Sequence, residues 1–330
     1  MAHFVSTFIT GFDSLVASDL EKRFSNIKIL NVFDGLIFYR YDGNSRDLET
    51  IPYLNNTFFV IKAWDTNKVD FSKMVNEVSV LNSYFLISKG SYRCRFVFEN
   101  QFEKVDKKIS NKAEQFVQRK TKLLLDKVSP STEIWFNIRR ENFAFCGQLI
   151  SKREFTEANL KKGELRPEIA YLMCVFAQIK PEDVILDCFS GYGSIPVQIS
   201  KKFNFSHLYV SDIDEDLINA LKEKKHLQKK NIHIQHSDVF NLELDKKATL
   251  VITDPPWGYY EQIHNIQVFY EEFLLKMKQV LQSNAQIIVL TARKEEIKNA
   301  AQKMNYQILD SIDTLVNGKK AGLYKLKLSV

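Results

Sequence analysis

Apolar and polar positions alternate with period two over several short runs of the first 65 residues, interrupted by one helical stripe. The run His3 to Thr10 is β-branched and aromatic, and Gly11 ends it. Between Asp13 and Phe24, residues Leu15, Val16, Leu20 and Phe24 share one face at helical spacing, which predicts an amphipathic helix. Ile27 to Phe33 and Leu36 to Tyr41 flank Asp34-Gly35, a pair suited to positive φ, so they read as a hairpin. A helix near Arg46 to Leu54 and a strand from Thr57 to Trp64 complete a βαββαβ order.

That order is the one found in ferredoxin-like domains. From about Asp70 the pattern changes to a helix over Phe71 to Leu81, a strand over Tyr92 to Phe98 and a long basic helix over Val105 to Lys127. Ile109, Ala113, Phe116, Leu123 and Leu124 form the core stripe of that helix, and Pro130 closes it. Glu133 to Arg139 and Phe143 to Leu149 read as a second hairpin. After a charged joint, Ser151 to Arg166, a helix over Pro167 to Ile179 precedes five strands. These are Val184 to Asp187, His207 to Ser211, Ile232 to Gln235, Thr249 to Thr253 and Gln286 to Thr291, with helices between them. Such alternation predicts a doubly wound α/β sheet. Tyr306 to Asp313 and Gly322 to Leu328 around Asn317-Gly318 add a terminal antiparallel pair. The plan is that of a class I, Rossmann-like methyltransferase domain with a seven-stranded sheet. The expected division is 1–65, 66–150 and 151–330.

Composition narrows the class. With 330 residues, 45% hydrophobic and 26% charged, the chain is able to bury sizeable cores, and a largely disordered protein is excluded. Its longest nearly apolar runs, Tyr171 to Ile179 and Ala285 to Ala292, fall short of the roughly 18 residues of a membrane span. The start Met-Ala-His-Phe-Val-Ser-Thr lacks the basic and apolar segments of a signal peptide, so a cytoplasmic location is expected. Cys94, Cys146, Cys174 and Cys188 stand far apart, the pattern of reduced, buried thiols. His233 and His236 would face opposite sides of a short strand, so no metal site is expected. Charge changes the picture more. Residues 89–140 hold 13 Lys or Arg against 6 Asp or Glu, whereas residues 1–88 hold 8 against 10. A local basic surplus in a balanced chain points to a polyanion, above all nucleic acid.

Two segments carry chemistry. Asp187-Cys188-Phe189-Ser190-Gly191-Tyr192-Gly193-Ser194 joins a strand to a helix, and its glycines let backbone approach a ligand at the helix N-terminus. A dinucleotide fingerprint would need a third glycine where Pro196 stands. Asp212, 19 residues past Gly193 at the end of the second strand, is placed to meet a ribose. The second segment is Asp254-Pro255-Pro256-Trp257-Gly258 at the end of the fourth strand. Its prolines stiffen the turn, their carbonyls accept hydrogen bonds from an exocyclic amine, and the indole offers a face for a base.

With these residues the chain resembles the THUMP-domain RNA methyltransferases that make N2-methylguanosine. Asp187 to Ser194 resembles their D-P-F-C-G-S-G-T, Asp254 to Gly258 their [ND]-P-P-Y-G, and Leu165 to Ala170 their L-x-P-x-x-A. Residues 66–150 look like a THUMP module, with Pro130 to Phe136 in its last hairpin. The resemblance implies S-adenosylmethionine as cofactor, lined by Asp187, Phe189, Gly191 and Gly193, with Asp212 on the ribose and Asp238 near the adenine amine. It implies a catalytic set of Asp254, Pro255, Pro256 and Trp257 acting on a tRNA guanosine. The implied RNA grip is Lys107, Lys108, Lys112, Arg119, Lys120, Arg139 and Arg140. Two departures stand out: Cys188, Ser190 and Tyr192 replace the family's Pro, Cys and Ser, and Tyr259 and Tyr260 follow the motif where family members often carry a basic residue. Ribosomal RNA guanine-N2 methylation, DNA adenine-N6 methylation and a noncatalytic RNA-binding subunit remain the alternatives.

Overall fold

The protein packs as two units, Met1–Phe8 with Val16–Glu154 and Ile9–Leu15 with Phe155–Val330. A computed structural model describes residues 2–87, 89–153, 160–259 and 263–329; residues 154–159 of the charged joint, and Tyr260, lie outside the described residues.

The first unit begins with β1 (Ala2–Thr7), α1 (Asp13–Arg23), β2 (Ile27–Phe33), β3 (Leu36–Tyr41), α2 (Ser45–Glu49) and β4 (Asn56–Trp64). Gly35 turns the β2–β3 hairpin at φ 71°. The strand order β2-β3-β1-β4 is that of a ferredoxin-like unit. It continues with α3 (Phe71–Ser79), β5 (Ser91–Phe98), β6 (Gln101–Phe102), α4 (Lys107–Thr121), β7 (Leu124–Leu125), β8 (Thr132–Arg139) and β9 (Phe143–Lys152). β9 pairs antiparallel with β4, so one nine-stranded sheet runs through both of the stretches divided at residue 65 by pattern. Phe116 and Val117 of α4 and Met74 and Val75 of α3 cover Tyr92, Phe96, Ile134 and Phe136.

The long basic helix is shorter than predicted. Asp106 caps α4 by accepting the Lys108 N–H at 2.6 Å, and Lys122, left-handed at φ 61°, stops it well before Pro130. Leu123 is buried as expected, but Leu124 is 70% exposed because it belongs to a short strand on β5 and not to the helix stripe.

The second unit contains α5 (Pro167–Ala177), β10 (Val184–Asp187), α6 (Ser194–Lys202), β11 (His207–Asp212), α7 (Glu215–Lys222), β12 (Ile232–His236) and β13 (Ala248–Thr253). After these come α8 (Ile266–Val280), β14 (Leu281–Thr291), α9 (Lys294–Lys303), β15 (Tyr306–Val316) and β16 (Lys319–Leu328). The sheet order is β12-β11-β10-β13-β14-β16-β15, parallel through β14, with β16 antiparallel to both neighbours. β10 is buried along its whole length, as a parallel strand covered on both faces must be. Asn317 and Gly318, both at positive φ, make the β15–β16 turn, as a two-residue hairpin of the primed type requires. The chain runs from β10 outward to β12 and returns to β13 on the other side of β10. Ligands of open α/β sheets bind at such a switch point, beyond the carboxyl ends of the strands. Among the described residues no helix is long and apolar enough to cross a membrane.

Candidate cofactor and amine site

At the carboxyl end of β10 the chain turns through Cys188 to Gly193 into α6. Gly193 takes φ 81°, and a Cβ there would lie 2.4 Å from Leu221 Cδ2, so no other residue fits without displacement. Gly191 takes φ 48°, and its missing Cβ would meet nothing within 4 Å. The Gly191 N–H donates to Asp212 Oδ2 at 2.7 Å and the Asp214 N–H to Oδ1 at 3.0 Å, which fixes the Asp212 carboxylate at the end of β11. Beyond β12, Asp238 accepts the Phe240 N–H at 3.0 Å. These strand ends border a cavity of about 640 Å³, inside the roughly 300–1,000 Å³ of small-molecule sites.

Asp254-Pro255-Pro256-Trp257 closes the same cavity after β13. Three bonds pin this turn. Trp257 Nε1 donates to Asp254 Oδ1 at 2.9 Å. The buried Tyr270 hydroxyl donates to the Pro256 carbonyl at 3.0 Å and meets Thr291 Oγ1 at 2.8 Å. Arg293 Nε donates to the Trp257 carbonyl at 2.7 Å. The Pro256 carbonyl is therefore engaged within the fold.

The structure brings Phe189, Gly191, Asp212, Asp238, Asp254, Pro255, Pro256 and Trp257 into one lining. Asp187 and Gly193, expected there, are not part of it. Gly193 is packed under Leu221. Asp187 is fully buried beneath the loop, where Oδ1 accepts the Thr253 hydroxyl at 2.8 Å and the Phe189 N–H at 3.4 Å. Burial pushes its carboxyl up to about 8, helped by the Asp212 and Asp254 carboxylates and opposed by those two hydrogen bonds.

In the first unit, Lys107, Lys108, Lys112, Arg119 and Lys120 are exposed along α4, with Lys112 bonded to Asn76 and Arg119 to the Ser79 carbonyl. Arg140 is exposed and paired with Glu99. Arg139 departs from the expectation. It is 6% exposed, and its guanidinium is divided among Glu141, Asn100 and the Asp34 carbonyl, so it holds loops together instead of facing a polyanion.

Sequence patterning missed Tyr270, Arg293 and Lys319. The one signal was an absence, the lack of a basic residue after the Asp254 motif. Space supplies the charge instead: Arg293 and Lys319 approach the Tyr259 ring at 4.9 and 3.6 Å.

The sheet order, the glycine turn at β10 and the acidic ends of β11 and β13 define a class I methyltransferase fold. Residues 153–319 match the family model of the RMKL-like methyltransferase domain, and the chain belongs to that family. Among curated proteins it is 28% identical over 169 residues to the tRNA (guanine(10)-N2)-dimethyltransferase of Methanothermobacter thermautotrophicus, covering 48% of this chain and 50% of that one. It is 22% identical over 223 residues to the tRNA (guanine(6)-N2)-methyltransferase of Thermus thermophilus, covering 64% and 65%. The chain thus spans about half to two thirds of the length of the curated relatives it matches. Among solved structures, TrmN from Thermus thermophilus superposes with a TM-score of 0.82 over 100% of both chains at 17% identity.

Proposed function

We propose that this protein is an S-adenosylmethionine-dependent RNA methyltransferase that modifies the exocyclic N2 amine of a guanosine in tRNA. The observation that carries this reading is a single cavity joining Asp212 and Asp238 on one side to the Asp254–Trp257 turn on the other. The residues fit the cofactor: Asp212 is oriented by two backbone N–H groups as an acceptor for vicinal hydroxyls, and the open Cβ position at Gly191 leaves room against the loop. Asp238 would accept from the adenine amine, and Phe189 supplies apolar wall. When bound, the cofactor supplies an electrophilic methyl group.

The chain's own work is to prepare the amine. The N2 lone pair of guanine is conjugated with the ring and is a poor nucleophile. Asp254 would accept one amine N–H and the Pro255 carbonyl the other, which localises the lone pair where transfer needs it. Holding donor and acceptor in line supplies up to roughly 7–11 kcal/mol of the acceleration. Trp257, oriented by Asp254, offers its face to the base, which must leave its helix if paired. Asp254 would take the departing proton. Guanine N2 and tRNA are named by the relatives above, and the exposed cations of α4 support an RNA grip in a THUMP module over residues 66–150.

Incubating total RNA with methyl-labelled cofactor and identifying the labelled nucleoside and RNA size class tests the reading. N2-methylguanosine in the tRNA fraction is expected; label in another nucleoside, or none, overturns it. Asp212→Ala should weaken cofactor binding in a calorimetric titration by about 1.5–3 kcal/mol, the worth of a hydrogen bond to a charged group. Reversing Lys108, Lys112 and Arg119 to glutamate should weaken RNA binding and flatten its salt dependence, with cofactor binding untouched.

A further inference from the structure

The cavity of the second unit is polarised along the sheet. Asp212 and Asp238 sit at the ends of β11 and β12, on one side of Asp254. On the other side, toward β14 and β16, the same cavity is bordered by Tyr259, Asn317 and Lys319. Tyr259 is 46% exposed, so its ring is accessible at the mouth. The Lys319 ammonium lies 3.6 Å from the centre of that ring and the Arg293 guanidinium 4.9 Å from it.

The fold positions both cations. Arg293 follows β14, donates Nε to the Trp257 carbonyl at 2.7 Å and has Glu296 at 3.9 Å. Lys319 is the first residue of β16, directly after the two-residue turn at Asn317-Gly318. Trp257 meets Tyr259 edge to face at 6.4 Å. Two cations gathered on an accessible aromatic face, on the far side of Asp254 from Asp212, make a seat for an anion beside whatever base lies on Trp257.

We propose that Tyr259, Arg293 and Lys319 form the seat of the phosphodiester adjoining the nucleotide that is methylated. The proposal deepens the function proposed above and rests on it for the identity of the polymer. A seated phosphate would fix the nucleotide's sugar, and so the depth to which its base enters beside Asp254. The seat would draw its positive charge from the residue that caps α9 after β14 and from the first residue of β16.

The test is equilibrium binding of bulk tRNA by the full chain at a series of salt concentrations, which needs no turnover. Lys319→Gln is expected to weaken binding about ten-fold, as for loss of one charge-assisted contact. The slope of log affinity against log salt should become shallower by about 0.7–0.9, one phosphate fewer. Lys319→Arg should bind within three-fold of wild type with its slope, and Tyr259→Leu should lose affinity as Lys319→Gln does. Thermal unfolding of each variant shows that the fold is intact; should Lys319→Gln unfold, the Tyr259→Leu and Lys319→Arg pair decides. Unchanged affinity and slope in a folded Lys319→Gln or Tyr259→Leu overturn the seat, even where the wild type labels tRNA. Weakened binding in these variants together with a wild type that labels no RNA upholds an RNA phosphate contact at Tyr259 and Lys319 but overturns the methyltransferase reading, and with it the assignment of that phosphate to a methylated nucleotide.

Discussion

Replacing Asp254 with alanine will lower methyl transfer by about a thousand-fold or more while cofactor affinity stays within a few-fold. Removing one preorganised polar partner of a transition state costs about 10²–10³ in rate. Here the loss is compounded, because Asp254 Oδ1 also holds the Trp257 indole at 2.9 Å. An interaction made mainly in the transition state depresses kcat and kcat/KM together and leaves ground-state binding alone. Asp254→Asn separates the two roles: its amide oxygen still accepts from Trp257, but the charge that draws on the amine is gone. It should fall between alanine and wild type. Turnover above a tenth of wild type in Asp254→Ala would remove the motif from the chemistry.

The second large effect concerns stability. Asp187 has its carboxyl pushed up to about 8 in the folded chain, against about 3.9 when unfolded. Between these values the folded state binds a proton that the unfolded state does not, so stability falls as pH rises from about 4 to 8 and levels off above. The slope is limited to roughly 1.4 kcal/mol per pH unit, the value for one proton. Asp187→Asn keeps the shape and the acceptor for Thr253 but cannot ionise. Urea unfolding of the ligand-free protein from pH 4 to 9 should therefore show the variant gaining on wild type as pH rises and exceeding it above pH 8. Parallel curves would mean that Asp187 is charged throughout.

Features read correctly from pattern are those with a local cause. Asp34-Gly35 and Asn317-Gly318 place their hairpins because both pairs tolerate positive φ. β10 shows itself as an apolar run ending in Asp187, the one residue that strand and motif share. Misreadings trace to causes that lie elsewhere in the chain. Lys122 stops α4 in a left-handed conformation that a lysine does not advertise. Arg139 counts as a surface cation until Glu141, Asn100 and Asp34 enclose it. Asp187 belongs to a binding motif by sequence, yet it supports the loop from beneath. Arg293 and Lys319 join the site only because β14 lies beside β13 and β16 beside β14 in the sheet, and Tyr270 because α8 carries it under the turn to bond the Pro256 carbonyl.

The pairing of β9 with β4 also governs how the first unit is made. Its register runs from Asn56 opposite Lys152 to Trp64 opposite Ala144, partners 80 to 96 positions apart along the chain. Closing so long a loop must be paid for in entropy before the ladder rewards it, which places this sheet among slow-folding topologies. During synthesis the aromatic strand Asn56–Trp64 has no partner on that edge until β9 emerges, and an apolar strand with an open edge templates association with other chains. Chaperone demand should therefore concentrate in the interval when β4 is complete and β9 is still inside the ribosome.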